Sequence, residues 1–183
     1  AVAWPMPIQY AGRPLPTPFL PENDRLAGYS QALAASGLQA DPALQVPGFF
    51  TIEGGEHAMT AQLAQRTPPT AVFAMSDEMA FGALRALRRH GLQPGADVSV
   101  VGFDGHEMAD LLDLTTVCQP AEEIGSVAAR CLLDLLDHPE HVPQALRLPT
   151  QMYVRGSTAV RRRPVAAEDR GGYVVPLSTC PHV

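Results

Sequence analysis

The stretch Thr70-Ala-Val-Phe-Ala-Met-Ser76-Asp77-Glu-Met-Ala-Phe-Gly82, continued by Val98-Ser-Val-Val-Gly-Phe-Asp104, decides the fold of this chain. Two short apolar runs each end on a hydroxyl or acidic residue, with a helix punctuated at both ends between them. Asp77 and Glu78 stand at the helix's positive end and Arg88, Arg89 and His90 at its negative end. Gly91 closes it, with Pro94 just beyond. Met79, Ala83, Leu84 and Leu87 form its apolar stripe. A buried strand, a helix and a second buried strand make a βαβ unit, which leaves both carboxyl ends on one edge of a parallel sheet. Small ligands bind at that edge in open α/β sheets. Ser76, Asp77 and Asp104 are therefore expected to converge on one cleft.

On the amino-terminal side, Pro at 5, 7, 14, 16, 18 and 21 forbids a helix and leaves at most a short strand near Ala1–Trp4. Asn23-Asp24 offers an N-cap, Leu26, Tyr29 and Leu33 follow at helical spacing, and Gly37 ends that helix. A strand is expected around Leu44–Thr51 and a helix from Gly55 to about Arg66. On the carboxyl side Thr115–Cys118 reads as a short strand, and Pro120 at the first helical position opens a helix to about Leu136. Ile124, Val127, Ala128, Cys131 and Leu135 share one face of it, the strongest amphipathic signal in the chain. Ala145–Leu148 and Gln151–Arg155 read as short closing strands, and from Arg161 onward a disordered tail is expected. Strands alternating with helices argue an α/β fold with a mainly parallel sheet.

The 183 residues suffice for a substantial core. A formal charge of −6 supplies no basic field for nucleic acid. All thirteen basic residues are Arg, which reads, with the abundant Ala and Pro, as genomic base composition. Cys118, Cys131 and Cys180 are odd in number and widely spaced, so reduced thiols in a cytoplasm fit better than disulfides or zinc. No signal peptide or long apolar span is read.

The sequence resembles the ligand-binding domain of lactose-repressor-type (LacI/GalR family) bacterial transcription regulators. The motifs that carry this run in family order over about 135 residues. They are Asp24-Arg25-Leu-Ala-Gly28-Tyr29 with Ala32-Leu33, then Pro69 to Ala83, then Asp97-Val-Ser-Val-Val-Gly-Phe-Asp104. Leu114-Thr-Thr-Val117 with Gln119-Pro120 follows, and Val154-Arg-Gly-Ser157-Thr158 closes the series. The resemblance implies a type I periplasmic-binding-protein fold, two α/β subdomains with a ligand cleft between them. It implies that residues 1–117 are part of the C-terminal subdomain, that 118–149 cross to the N-terminal one, and that 150–160 return. The family's helix-turn-helix segment is not in this chain, so operator DNA would be reached only through a missing N-terminal domain. A sugar-like effector, a homodimer, a cytoplasmic setting, no cofactor and no membrane are the accompanying expectations.

Arg25 matches the family position whose guanidinium reaches ligand hydroxyls, and Asp104 the family's ligand-contacting carboxylate. Ser76 stands where many relatives carry Asn. Asp77 is read as a ligand contact or as the cap of its own helix. Gln119 lies at the expected crossing, and Ala121 stands where some relatives place an aromatic ring. Phe50 is read as ending a strand, either as an aromatic platform or as core. Two other readings stand beside the regulator: a transporter's solute-binding protein, which shares the fold, and a sugar-processing α/β enzyme. Ser76, Asp104 and His106 are triad residue types, but the G-x-S-x-G elbow is absent. His138 and His141 are interrupted by Pro139, and no carboxylate constellation is read that would complete a metal site. Neither G-x-G-x-x-G nor a Walker loop is present. The Val154–Thr158 ending favours the regulator.

Overall fold

The computed structural model describes residues 2–4, 9–10, 13–14, 21–142 and 145–160. In chain order its elements are β1 (Val2–Trp4), β2 (Gln9–Tyr10), β3 (Arg13–Pro14), α1 (Pro21–Ala35), a 3-10 turn at Pro42–Leu44, and β4 (Gln45–Pro47). Then come α2 (Ile52–Leu63), β5 (Ala71–Ala74), α3 (Asp77–Arg89), β6 (Ser99–Asp104) and α4 (Met108–Leu111). β7 (Thr115–Cys118), α5 (Ala121–Asp137) and β8 (Gln151–Tyr153) complete the set. The tail expected beyond Arg161 lies outside the described residues.

The main sheet runs β4-β1-β5-β6-β7-β8. Its first five strands are parallel, and only β8 runs antiparallel, setting Tyr153 opposite Thr116. From β1 the chain moves outward to β4 through α1, then returns past β1 to β5 through α2. Strand order therefore reverses between β1 and β5. Right-handed crossovers in opposite directions put α1 and α2 on opposite faces. Such a reversal opens a crevice beyond the carboxyl ends of the strands.

Local chemistry explains most element boundaries. Thr51 caps α2 by accepting from the Gly54 N–H at 2.9 Å, and Ser76 caps α3 by accepting from the Met79 N–H at 3.2 Å. The stripe read on α3 is fully buried, with Met79, Leu84 and Leu87 at or below 1% exposure, and Met59, Met75, Val100 and Leu114 complete the core. Glu56 of α2 receives both Arg85 and Arg89 of α3, clamping the two helices together. The Val154–Thr158 motif staples the sheet. Ser157 Oγ donates to Val100 O at 2.6 Å and accepts from Thr115 N at 2.8 Å, while Arg155 Nη1 donates to Leu114 O at 2.8 Å.

Several boundaries differ from the sequence reading. The strand expected over 44–51 stops at Pro47. Gly48 accepts from Thr51 N at 3.2 Å and closes a turn in which Phe49 and Phe50 both take positive φ. Phe50 thus lies in a tight turn and not at a strand end. The following helix starts at Ile52, ahead of Gly55. Residues 145–148 form no strand. Pro120 is the cap of α5 and Ala121 its first residue. A short β2–β3 pair stands where the proline spacing left at most one strand. Among the described residues no helix is long and apolar enough to cross a membrane.

Candidate functional site

Because β1, β4, β5, β6 and β7 are parallel, their carboxyl ends share one edge of the sheet. The Gly48–Phe50 turn follows β4, Met75-Ser76 follows β5, Asp104 ends β6, and Gln119 follows β7. α1, packed on one face of the sheet through Leu26 and Tyr29, supplies Arg25 to this edge. One guanidinium nitrogen of Arg25, Nη1, donates to Met75 O at 2.5 Å, and Nη2 lies 3.4 Å from Asp104 Oδ1. The guanidinium carbon sits 3.9 Å over the Phe103 ring, a cation–π contact that holds the plane of the fork. Gln119 Nε2 donates to the same Asp104 Oδ1 at 2.7 Å, and Gln119 N donates to Asp104 O at 3.2 Å. The Arg25 side chain is 12% exposed and that of Asp104 is 36% exposed. Solvent therefore reaches the carboxylate while the cation is largely packed.

Asp104 adopts φ +123°, a backbone region that costs a non-glycine residue on the order of 1–3 kcal/mol. The next residues hold it there. Gly105, at φ +80°, lies so close to Cys118 that an added Cβ would meet Sγ at 2.4 Å. The Gly105 and His106 N–H groups both donate to Asp77 Oδ2, at 2.9 and 2.7 Å. Asp77 Oδ1 accepts from Thr116 Oγ1 at 2.6 Å. Asp77 is fully buried. It neither caps α3 nor faces the crevice, but fixes the loop that carries Asp104. Burial pushes both carboxyls above their ordinary value. For Asp77 the three donors pull back; for Asp104, Arg25 opposes the rise and the neighbouring charges of Asp77 and Glu78 add to it.

The structure thus brings Arg25, Asp104 and Gln119 into direct contact and places Ser76 one residue beyond the carbonyl that Arg25 grips. Ser76 is 1% exposed, with its hydroxyl engaged as the α3 cap. Ser76→Ala is expected to lower stability by about 1 kcal/mol, read as a shift in the urea unfolding midpoint. Phe50 is half-buried against the core. Phe103, the Gly105–His106 amides and Thr116 are components the sequence reading missed. The Gly-Phe-Asp ending of the β6 run was a signal for the first of them. His106 does not pair with Ser76: its Nδ1 accepts from Met108 N at 3.0 Å, and its ring stands edge-on to Phe81.

Residues 8–158 match the family model of the periplasmic binding protein-like domain. Over 137 residues the chain is 44% identical to the HTH-type transcriptional repressor CytR of Escherichia coli K12, covering 73% of this chain and 40% of that protein. Among solved structures, a LacI family transcriptional regulator from Enterococcus faecium with bound ribose is 34% identical. It matches with TM-score 0.68 over 75% of this chain and 51% of that one. The lac repressor dimer bound to operator and the anti-inducer ONPF is 30% identical, with TM-score 0.69 over 76% of this chain and 48% of that one. The chain thus spans about two fifths of the length of the curated relative and about half of each matched structure.

Proposed function

This chain belongs to the periplasmic binding protein-like domain family, among the ligand-binding domains of LacI-type regulators, and from that premise we propose that it senses a small sugar-like effector for a transcription regulator. The observation that carries this reading is the Arg25–Asp104–Gln119 cluster at the strand-order reversal. A packed guanidinium, a half-open carboxylate and an amide offer donors and acceptors in the mixture that adjacent hydroxyls require. Arg25 and Gln119 both fall on Oδ1 of Asp104, so a guest hydroxyl can approach Oδ2. Ser76 and Asp77 act by holding the rim, and Phe50 borders the same sheet edge. The ribose bound to the Enterococcus faecium relative supports a neutral polyol as the class of guest.

Residues 1–117 are assigned to the C-terminal subdomain, 118–149 to a segment crossing to the N-terminal one, and 150–160 to the return. The condition of α5 supports this. It carries the apolar stripe read from the sequence, yet none of its residues is fully buried. Leu132, Leu133 and Leu136 are 59–67% exposed. Such a surface calls for a covering subdomain or a second copy. Operator contact is assigned to parts of the protein outside this segment, with a homodimer as the working unit, in keeping with the operator-bound lac repressor dimer. A cytoplasmic setting and the absence of catalysis follow from that role. Effector binding shifts the population between two subdomain orientations and so changes DNA affinity.

Titration of the intact regulator against pentoses, hexoses and disaccharides tests the assignment. Arg25→Ala and Asp104→Ala should each weaken effector binding about 10- to 100-fold, the range expected for a lost charged hydrogen bond. Unchanged affinity in both variants would overturn the site.

A further inference from the structure

We propose that the turn closing α5 is a divalent-metal site, with His138, Glu140 and His141 as ligands and Asp134 orienting His141. Each of the three offers one ligand atom, and these atoms lie within 4.8 Å of one another. A first-row cation draws N and O donors to about 2.0–2.2 Å, so a small closure of exposed side chains completes the grip. The two imidazole rings are already side by side, with centroids 4.8 Å apart and planes 25° from parallel.

The backbone prepares this arrangement. His141 N donates to His138 O at 3.0 Å, closing a four-residue turn with Pro139 at its second position, where a fixed φ suits the turn. Pro139, read from the sequence as an interruption, is the corner that sets the histidines on one side. The missing carboxylates are present as well. Glu140 Oε1 lies 3.5 Å from His138 Nδ1. Asp134, one helical turn earlier, places Oδ2 2.9 Å from His141 Nδ1. A carboxylate behind a ligating imidazole fixes its tautomer and strengthens it as a donor. The site also sits at the carboxyl end of a 17-residue helix, where the dipole favours positive charge.

Two imidazoles and a carboxylate select a late first-row ion such as Zn²⁺ or Ni²⁺ over Mg²⁺ or Ca²⁺, with a position left for water. All four side chains are at least half exposed, so an ion can enter without opening the fold. Bound there, it would tie the segment after α5 to the helix's last turn. Nothing in this proposal depends on the effector reading.

The test is competition for Zn²⁺ between a chromogenic chelator and the full chain. One equivalent should be withheld from the chelator. The double variant His138→Ala/His141→Ala should lower the affinity at least 30-fold, and Asp134→Asn about 10-fold. His57→Ala, an exposed histidine on α2, should leave it unchanged, and far-UV circular dichroism should show every variant folded. Co²⁺ in place of Zn²⁺ should give no thiolate charge-transfer band, which separates this site from the three thiols of the full chain, Cys118, Cys131 and Cys180. Failure to compete with the chelator, equal affinity in the double variant, or a thiolate band would overturn the proposal.

Discussion

Gly82→Val should leave the protein largely unfolded, and Gly82→Ala should already cost about 3 kcal/mol or more. A Cβ at position 82 would sit 2.0 Å from Ile52 O and 2.5 Å from Glu56 N. Both are backbone atoms of α2, so no side chain can rotate out of the way. The facing position is equally tight, since a Cβ on Gly55 would meet Met79 O at 2.1 Å. The α2–α3 contact is therefore backbone against backbone, and an added carbon must push a whole helix off the core. Overpacking of a deformable site costs roughly 1–3 kcal/mol, and this site cannot deform locally. Alanine's better helix propensity returns only about 1 kcal/mol. Against a total stability of about 5–15 kcal/mol, the clash decides the sign. Gly28→Ala is the control: it lies in α1 with nothing within 4 Å of the added carbon, so it should be neutral or stabilising by up to about 1 kcal/mol. Urea unfolding of the three variants checks this. A Gly82→Ala midpoint equal to that of Gly28→Ala would refute the packing argument.

Asp77→Ala is expected to cost about 3 kcal/mol, because it strands the Gly105 and His106 amides and the Thr116 hydroxyl in a buried place. It should also weaken effector binding without any contact to the guest, since those amides hold Asp104 in its strained conformation. Asp77→Asn should cost about 1 kcal/mol, because one amide oxygen can serve both N–H groups while Thr116 turns to accept from Nδ2. The two variants separate further with pH. Burial raises the Asp77 carboxyl above its ordinary 3.8 in the folded state. The native state therefore holds that proton more firmly, and between 3.8 and the raised value its stability falls as pH rises. Asp77→Asn removes that contribution and should flatten the slope, while Asp104, shifted the same way, keeps part of it. Unfolding midpoints from pH 3.5 to 7 measure the difference. An equal loss in the Ala and Asn variants at all pH values would show that the hydrogen bonds are not what matters.

Much of this was legible in the chain. The α3 boundaries follow from Ser76, Asp77 and Gly91, because caps and dipole complements act over one helical turn. The β5 and β6 runs were readable because strands covered on both faces are apolar throughout. Phe50 lies in a turn and not at a strand end because β propensity is overridden when Gly48 closes that turn around it. The helix expected from Gly55 begins at Ile52 because Thr51, which the sequence reading places in a strand, caps it. For Asp77 the sequence leaves a ligand contact and a helix cap both open, because the cap chemistry is the same for Ser76 beside it, and only the distant partners of Asp77 show which residue caps α3.

The alternation of strands and helices from α1 to α5 and the parallel edge were legible in the sequence, since they rest on local spacing, while Arg25, Asp104 and Gln119 were candidates through the resemblance that a series of short motifs carries. The tertiary structure decided which groups answer one another: Asp77 with Gly105, His106 and Thr116 and Gly82 with Ile52 in the interior, and Asp134 with His141 at the surface. Most of these partners lie 28 to 39 residues apart along the chain. Hydrogen bonds and steric contacts act over a few ångströms, so packing alone determines which of many suitable residues comes within reach.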